Sequence, residues 1–425
     1  MITRVQALHY RCFDWLDIHW QRYNVLAGAN GSGKSTLLDI PQLFADILSR
    51  GLMAAFLETS PAIGAPRAQS LKELTHCHRG GDFGFVLEAA LPEKIVSALV
   101  AKAPGSVQEN QRRWPHTLRY EIRFGIFNDI DLRIIEEFLW LIPQNAARQE
   151  KDRQIGVPRP RSWRSVIIRS VGGPTDILFE IRPEQGRRDL SLHLEANKLA
   201  LANLPLDSSL CPATVWFVEM LTKDVLTYTP NIQELHKACP PGQPKTIRAD
   251  AINLPWMVLN LKQERSAMFR AWVEHVQTAL PNITAIDAVK REDDSYVYLK
   301  IDYQGGYMIT STGLSGGTLA ILALTILPYL SNLPNVVCLE EPENGIHPRA
   351  IEGVLQSLSS LYNSQVWLST HSPIVLAHTD LKSIIIMRSL GNGGVEVVSG
   401  DQHPRLRGWH GEIDLGSLFA AGVLD

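Results

Sequence analysis

The stretch Gly28-Ala29-Asn30-Gly31-Ser32-Gly33-Lys34-Ser35 has the spacing G-x-x-x-x-G-K-[ST], and Thr36 extends it. Glycine at 28, 31 and 33 allows backbone conformations that a Cβ would block and lets the chain approach a ligand closely. Consecutive amides at a helix start, aided by the helix dipole, make a concave site for phosphate. Lys34 is then placed to reach the β- and γ-phosphates of ATP, and the Ser35 hydroxyl to coordinate Mg²⁺. The surroundings agree with this chemistry. Tyr23–Ala27 is an apolar strand leading into the turn, and Leu37, Leu38, Leu43, Phe44 and Ile47 give the following helix an apolar side, with Pro41 predicting a kink or an early break.

A second candidate group lies at the end of another apolar strand, Asn335 to Leu339, which runs into Glu340-Glu341-Pro342. A buried strand of an open α/β sheet delivers the residues at its carboxyl end to the crevice where ligands bind. Glu340 is placed there to hold the Mg²⁺ shell and Glu341 to polarise an attacking water. The competing reading is two solvated surface acids. Val366-Trp367-Leu368 leads in the same way to Ser369-Thr370-His371-Ser372-Pro373, so His371 is expected on the same sheet edge as Glu341. A neutral imidazole there can bond the γ-phosphate or the attacking water. A structural or merely exposed histidine is the alternative.

Gly313-Leu314-Ser315-Gly316-Gly317 opens an apolar segment, Gly317 to Leu330, that is expected to be a helix about 21 Å long. Alone, it is a serine-capped helix start with an anion-friendly end. At that length its N-terminus is hard to bring onto its own chain's phosphate loop. A facing copy supplies it more simply, closing ATP between Lys34 of one subunit and Ser315, Gly316 and Gly317 of the other in a head-to-tail homodimer.

The elements that must position these residues follow from patterning. Strands alternating with helices in the last third imply an α/β fold with a mainly parallel sheet covered on both faces. Ile2 to Ile18 is β-rich, and Ser295 to Tyr303 alternates like a strand. Residues 96–284 read as an inserted α+β or helical subdomain, with short strands at Leu118–Phe124 and Ile177–Ile181 and one long or two short helices over Met257–Leu280. The domain reading is therefore a discontinuous ATPase head, 1–95 and 285–400, that insertion, and a docking tail over 401–425.

Composition sets the outer limits. The chain has 425 residues, 45% hydrophobic and 20% charged, with a formal net charge of −3. These are globular values and exclude a disordered, fibrous or histone-like protein. The longest apolar run is broken by Pro328 and is too short for a membrane span. Five scattered cysteines without a CxxC pair, and no secretory pattern at the start, point to the cytoplasm. Between Ala147 and Arg169 lie Arg148, Lys151, Arg153, Arg159, Arg161, Arg164 and Arg169 with Trp163, which could track a nucleic-acid backbone or form a solvated loop. His76-Cys77-His78 lacks a second ligand pair at zinc spacing. Leu415, Leu418, Phe419 and Val423 give the tail an apolar side for docking on its own chain or on a partner.

Taken in order, the phosphate loop (Walker A), LSGG, EEPENGIHP and STHSP resemble the ABC-type ATPases of the SMC, RecF and OLD-like group, in particular the Toprim-lacking AAA-type ATPases of bacterial anti-phage defence systems. The resemblance covers about residues 1–95 and 285–400. It implies an ABC-type P-loop head that binds ATP and Mg²⁺ and works as a homodimer or higher oligomer. It also implies that Arg11 in Tyr10-Arg11-Cys12-Phe13 contacts the nucleotide and that Glu343–His347 is a D-loop crossing the dimer interface. Thr246–Leu254 is similar to the segment these proteins carry ahead of the signature. Glu340 stands where an aspartate is usual, and no Q-loop glutamine is assigned. The stretch after His371 is too short for a Toprim domain, so a nuclease or toxin effector is expected on a separate chain. The favoured reading is an ATP-driven switch controlling that effector. A DNA-repair ATPase that binds DNA directly and a slow or inactive nucleotide-bound scaffold are the alternatives.

Overall fold

The computed structural model describes residues 1–144, 160, 162–182, 189–204, 207–391, 393–406 and 414–423. Among them the strands run, in chain order, β1 (Ile2–Tyr10), β2 (Phe13–His19), β3 (Tyr23–Ala27), β4 (Asp82–Ala90), β5 (Pro115–Phe127), β6 (Asp131–Pro143), β7 (Arg164–Arg169) and β8 (Thr175–Leu178). They continue with β9 (Asp189–Leu192), β10 (Val225–Thr227), β11 (Ile283–Lys290), β12 (Val297–Tyr303), β13 (Tyr307–Thr310), β14 (Val336–Glu340), β15 (Gln365–Thr370), β16 (Ile384–Ser389) and β17 (Val395–Ser399). Contacts divide the chain into two compact units. Unit one is Met1–Gln21, Gly31–Val225 and Met387–Val397; unit two is Arg22–Asn30, Leu226–Ile386 and Val398–Asp425.

Unit one is built on an antiparallel sheet ordered β2-β1-β4-β5-β6-β7-β8-β9. Side chains alternate across it. Phe83 and Phe85 of β4 and Tyr120 and Phe124 of β5 share the apolar face. Phe44 in the helix Ile40–Arg50 meets Phe85 edge-on at 5.6 Å, and Phe56 in the helix Leu52–Leu57 meets Phe83 at 5.7 Å. The other face carries charge, and there every buried ion has a partner, as burial demands. Arg119 donates to Glu121 at 2.6 Å and to Glu88, and Arg4 holds Asp17 at 2.6 Å. Two further buried carboxylates cap helices from outside. Glu137 accepts from the amides of Ala200 and Leu201 at 2.7 and 2.8 Å, and Glu180 from those of Ala213 and Thr214 at 2.7 and 2.8 Å. Both supply acceptors to amides that a helix start leaves open.

Unit two contains the parallel sheet. Its order is β10-β14-β15-β3-β16-β17, with β14, β15, β3 and β16 parallel. The helices Gly316–Thr325, Pro348–Ser359, Leu254–Glu264 and Ser266–Ala279 bury their apolar sides in the same core as this sheet. Trp272, fully buried, donates from Nε1 to Thr325 Oγ1 at 3.1 Å, and the Tyr228 hydroxyl donates to the Ala323 carbonyl at 2.8 Å. A separate antiparallel sheet, β11-β12-β13, leads into the signature.

Local expectations and structure differ at identifiable points. The apolar helix begins at Gly316 and ends at Thr325, not Leu330; a 3-10 turn, Leu327–Tyr329, follows, because the Pro328 ring cannot continue the α pattern. Ten residues give about 15 Å rather than 21 Å. Pro41 acts as expected: one helix closes at Leu38 and the next starts at Ile40. The two-helix alternative holds for Met257–Leu280, which falls in the helices Leu254–Glu264 and Ser266–Ala279. β5 and β6 pair in one sheet with β4 and β1. The tail helix Leu415–Ala420 packs on the helix Pro373–Ala377 of its own unit. A Cβ on Gly416 would lie 2.1 Å from the Pro373 carbonyl oxygen, so only glycine permits this approach.

Candidate functional site

Unit one carries the second half of the phosphate loop. Gly31 and Gly33 have φ of 81° and 88°, the left-handed region that favours glycine. A Cβ on Gly33 would meet Cys12 Sγ at 2.7 Å and Phe13 at 3.3 Å, so space as well as conformation selects glycine there. Lys34 is buried and opens the helix Lys34–Leu38, whereas Ser35 is exposed. Ser32 is 1% exposed, and its Oγ has no hydrogen-bond partner. A buried, unsatisfied hydroxyl inside a turn of this chemistry suits an anionic oxygen arriving from outside. The Cys12 thiol lies beside Thr36, and burial pushes it up from its ordinary range. Arg11 is held by its backbone: it has φ of 52°, its amide donates to the Leu74 carbonyl at 3.0 Å, and its own carbonyl accepts from His76 Nδ1 at 3.1 Å.

Unit two holds the first half of the loop, with Gly28 buried and Asn30 exposed. β15 is level with both neighbours: Thr370 pairs with Ala27 of β3, and Ser369 with Glu340 of β14. Gly28, Glu341 and His371 therefore leave the carboxyl ends of three adjacent parallel strands. The Glu341 amide donates to the Ser369 carbonyl at 3.0 Å, and its φ is 45°, unusual for a residue with a Cβ. Its Oε1 lies 2.8 Å from His371 Nδ1, and its Oε2 accepts from Asn344 Nδ2 at 2.9 Å. In a neutral ring, Nδ1–H donating to Glu341 leaves Nε2 as the acceptor. The pair is open to solvent, with side-chain exposures of 23% for Glu341 and 45% for His371. A carboxylate so oriented can take a proton from water. Glu340 is exposed at the strand end.

The signature is also in unit two. Ser315 caps the helix Gly316–Thr325, its Oγ accepting from the Thr318 amide at 3.1 Å and sharing a 2.8 Å bond with Thr318 Oγ1. The Tyr303 hydroxyl lies beside Thr318, and burial raises it from its ordinary range. A Cβ on Gly317 would lie 2.6 Å from the Gly345 carbonyl oxygen, so the helix start rests on the turn that follows β14. Gly316 has more room, its nearest neighbour being Ile232 at 3.2 Å.

Several contacts here have no counterpart in the sequence reading: Asn344 on Glu341, Tyr303 on Thr318, and Glu343 on Thr370. Asn344 and Glu343 fall inside a noticed motif, but no spacing rule announces their partners. Of the basic stretch, Arg148, Lys151, Arg153, Arg159 and Arg161 lie outside the described residues. Arg164 donates to the Phe179 carbonyl at 3.0 Å, and Arg169, buried, donates to the carbonyls of Lys198 and Glu195, the latter at 2.8 Å. These two arginines are engaged in the fold itself.

Residues 244–377 match the family model described as "AAA domain, putative AbiEii toxin, Type IV TA system". No curated protein matches the chain. Among solved structures, an SMC head bound to the C-winged helix domain of ScpA is 13% identical, with 93% of this chain and 97% of that chain covered at a TM-score of 0.50. An SMC head domain with an extended coiled coil, bound to the C-terminal domain of ScpA derived from Pyrococcus furiosus, is 13% identical over 93% and 95% at 0.47. The SMC head domain from Thermotoga maritima is 11% identical over 94% and 98% at 0.40. No helix among the described residues is long and apolar enough to cross a membrane. The chain thus has an α/β fold similar to that of an SMC head, and its AAA-domain match spans the signature, the acidic strand end and the histidine strand end.

Proposed function

We propose that this chain is an ATP-hydrolysing switch that closes as a head-to-tail homodimer and controls a separately encoded effector in anti-phage defence. The observation that carries the catalytic part is the shared level of β3, β15 and β14, which brings Gly28, His371 and Glu341 to one sheet edge, with Glu341 bonded to His371. In this reading the amides of Gly28–Ser35 with Asn30, Ser32 and Lys34 hold the triphosphate, Thr36 and Arg11 flank it, and Ser315, Gly316 and Gly317 come from the facing copy. Ser35 and Glu340 are oxygen donors of the kind Mg²⁺ takes, and bound Mg²⁺ would supply neutralising charge on the β- and γ-phosphates. Glu341 orients the water and accepts its proton, and His371 holds Glu341 through Nδ1 while presenting Nε2 as an acceptor to the water. The matched family model is described by an AAA domain and a toxin–antitoxin system, which supports an ATPase working in a system of that kind.

The test is Glu341→Gln. Turnover is expected to fall by about 100-fold or more, the usual reach of a general base, while ATP still binds and accumulates a closed dimer by light scattering. Unchanged turnover would overturn the assignment.

A further inference from the structure

A second link joins the two strand ends beneath the Glu341–His371 contact. Glu343 stands in the turn after β14 and is 9% exposed. It accepts a hydrogen bond from the Thr370 hydroxyl, itself fully buried. Thr370 Oγ1 in turn accepts from the Ser372 amide at 2.9 Å. One hydroxyl thereby grips the chain on both sides of His371 and anchors it to the turn that carries Glu341. The other Glu343 oxygen, Oε2, has no hydrogen-bond partner. Burying a carboxylate with one oxygen unsatisfied is costly, and an apolar side chain of similar volume would be cheaper there. The stability of the turn alone does not account for it, whereas holding a neighbouring group at a set position does.

We propose that Glu343 is a positioning residue: through the Thr370 hydroxyl it sets the backbone at His371 so that the imidazole meets Glu341. The catalytic consequence rests on the ATPase reading above; the geometric one does not. A Thr370 lacking its hydroxyl leaves Glu343 unable to reach the loop, and the ring is then free to leave Glu341. Asn344 still holds Glu341 from the other side, so the carboxylate stays while the histidine drifts.

The experiment uses the full chain and the variants Thr370→Val, Thr370→Ser and Glu343→Leu, with folding checked by thermal unfolding. The first readout is the ¹⁵N spectrum of the His371 imidazole, assigned with His371→Asn, which reports whether Nδ1–H is hydrogen-bonded. The bonded signature is expected in the wild type and Thr370→Ser and absent in Thr370→Val and Glu343→Leu. The second is ATP turnover: kcat should fall by about 10-fold or more in Thr370→Val with KM little changed, and Thr370→Ser should restore it. A bonded Nδ1–H that persists in Thr370→Val, or in Glu343→Leu should Thr370→Val not fold, overturns the proposal. Wild-type protein that binds but does not turn over ATP would sink the ATPase reading and leave the imidazole spectrum to decide the positioning.

Discussion

Arg67 grips Asp39 with both nitrogens of one guanidinium edge, Nε at 2.6 Å and Nη2 at 2.7 Å. Its remaining nitrogen, Nη1, reaches Asp46 and the Ala55 carbonyl, each at 2.7 Å, and the side chain is fully buried. Asp39 closes the helix opened by Lys34, so this fork fixes the far end of the element behind the phosphate loop. Burial raises the Asp39 carboxyl above its usual range, against the pull of Arg67. Removing the arginine strands two acids in the interior. Arg67→Ala should cost about 3–5 kcal/mol, read as a lower urea midpoint. Arg67→Lys should recover only part of it, because an ammonium cannot reproduce the fork.

Gly33 answers to both conformation and space. Gly33→Ala should weaken ATP binding by at least about 10-fold, combining a left-handed φ that costs roughly 1–2 kcal/mol with the collision on Cys12. Gly31→Ala, with φ of 81° and nothing near its added carbon, should show the conformational part alone. Adding Cys12→Ala to Gly33→Ala should return part of the affinity. Binding of a fluorescent ATP analogue to the four proteins separates the contributions.

The two signature glycines are not equivalent. Gly317→Ala drives a carbon onto backbone and must push the helix start away from the turn bearing Glu341, whereas Gly316→Ala meets only the tip of Ile232. Turnover should fall by about 10-fold or more for the first, on the scale of a misplaced catalytic group, and by much less for the second. Equal losses in a steady-state assay would contradict this.

Burial pushes the thiols of Cys211 and Cys239 up to about 11. A folded-state value above the unfolded one adds stability that is fully present below the unfolded value and is lost as pH rises through the folded one. The melting temperature should therefore decline between about pH 9 and 11, beyond the ordinary thiol range, and the decline should be shallower in Cys211→Ala and Cys239→Ala. The difference between wild type and variant across that window is the quantity to measure.

Legibility in the sequence followed the range of the interactions. β3, β14 and β15 could be read because each is a short apolar run ending in chemically distinctive residues, and the break at Asp39 because proline acts locally. The sheet of unit one could not: β1 pairs with β4, many residues away, and nothing in either strand names the other. The same holds for Arg67 with Asp39 and Asp46, and for Glu343 with Thr370. The end of the signature helix was misjudged because Ile326 and Leu327 continue the apolar pattern past the residue where Pro328 stops it. The motifs pointed to Glu341 and His371 separately; their mutual contact came from strand register, which composition does not encode.

That register makes counting matter. Since Ser369 sits level with both Glu340 and Leu26, one residue inserted anywhere within β14 or β15 would turn every later side chain to the opposite side of the sheet, separating acid from imidazole without disturbing the core's hydrophobic content. Two inserted residues would restore the facing but overshoot by about 6.6 Å. Natural length variation in this chain should accordingly fall outside these strands, and a deletion scan across them should show an odd-even rhythm in nucleotide turnover.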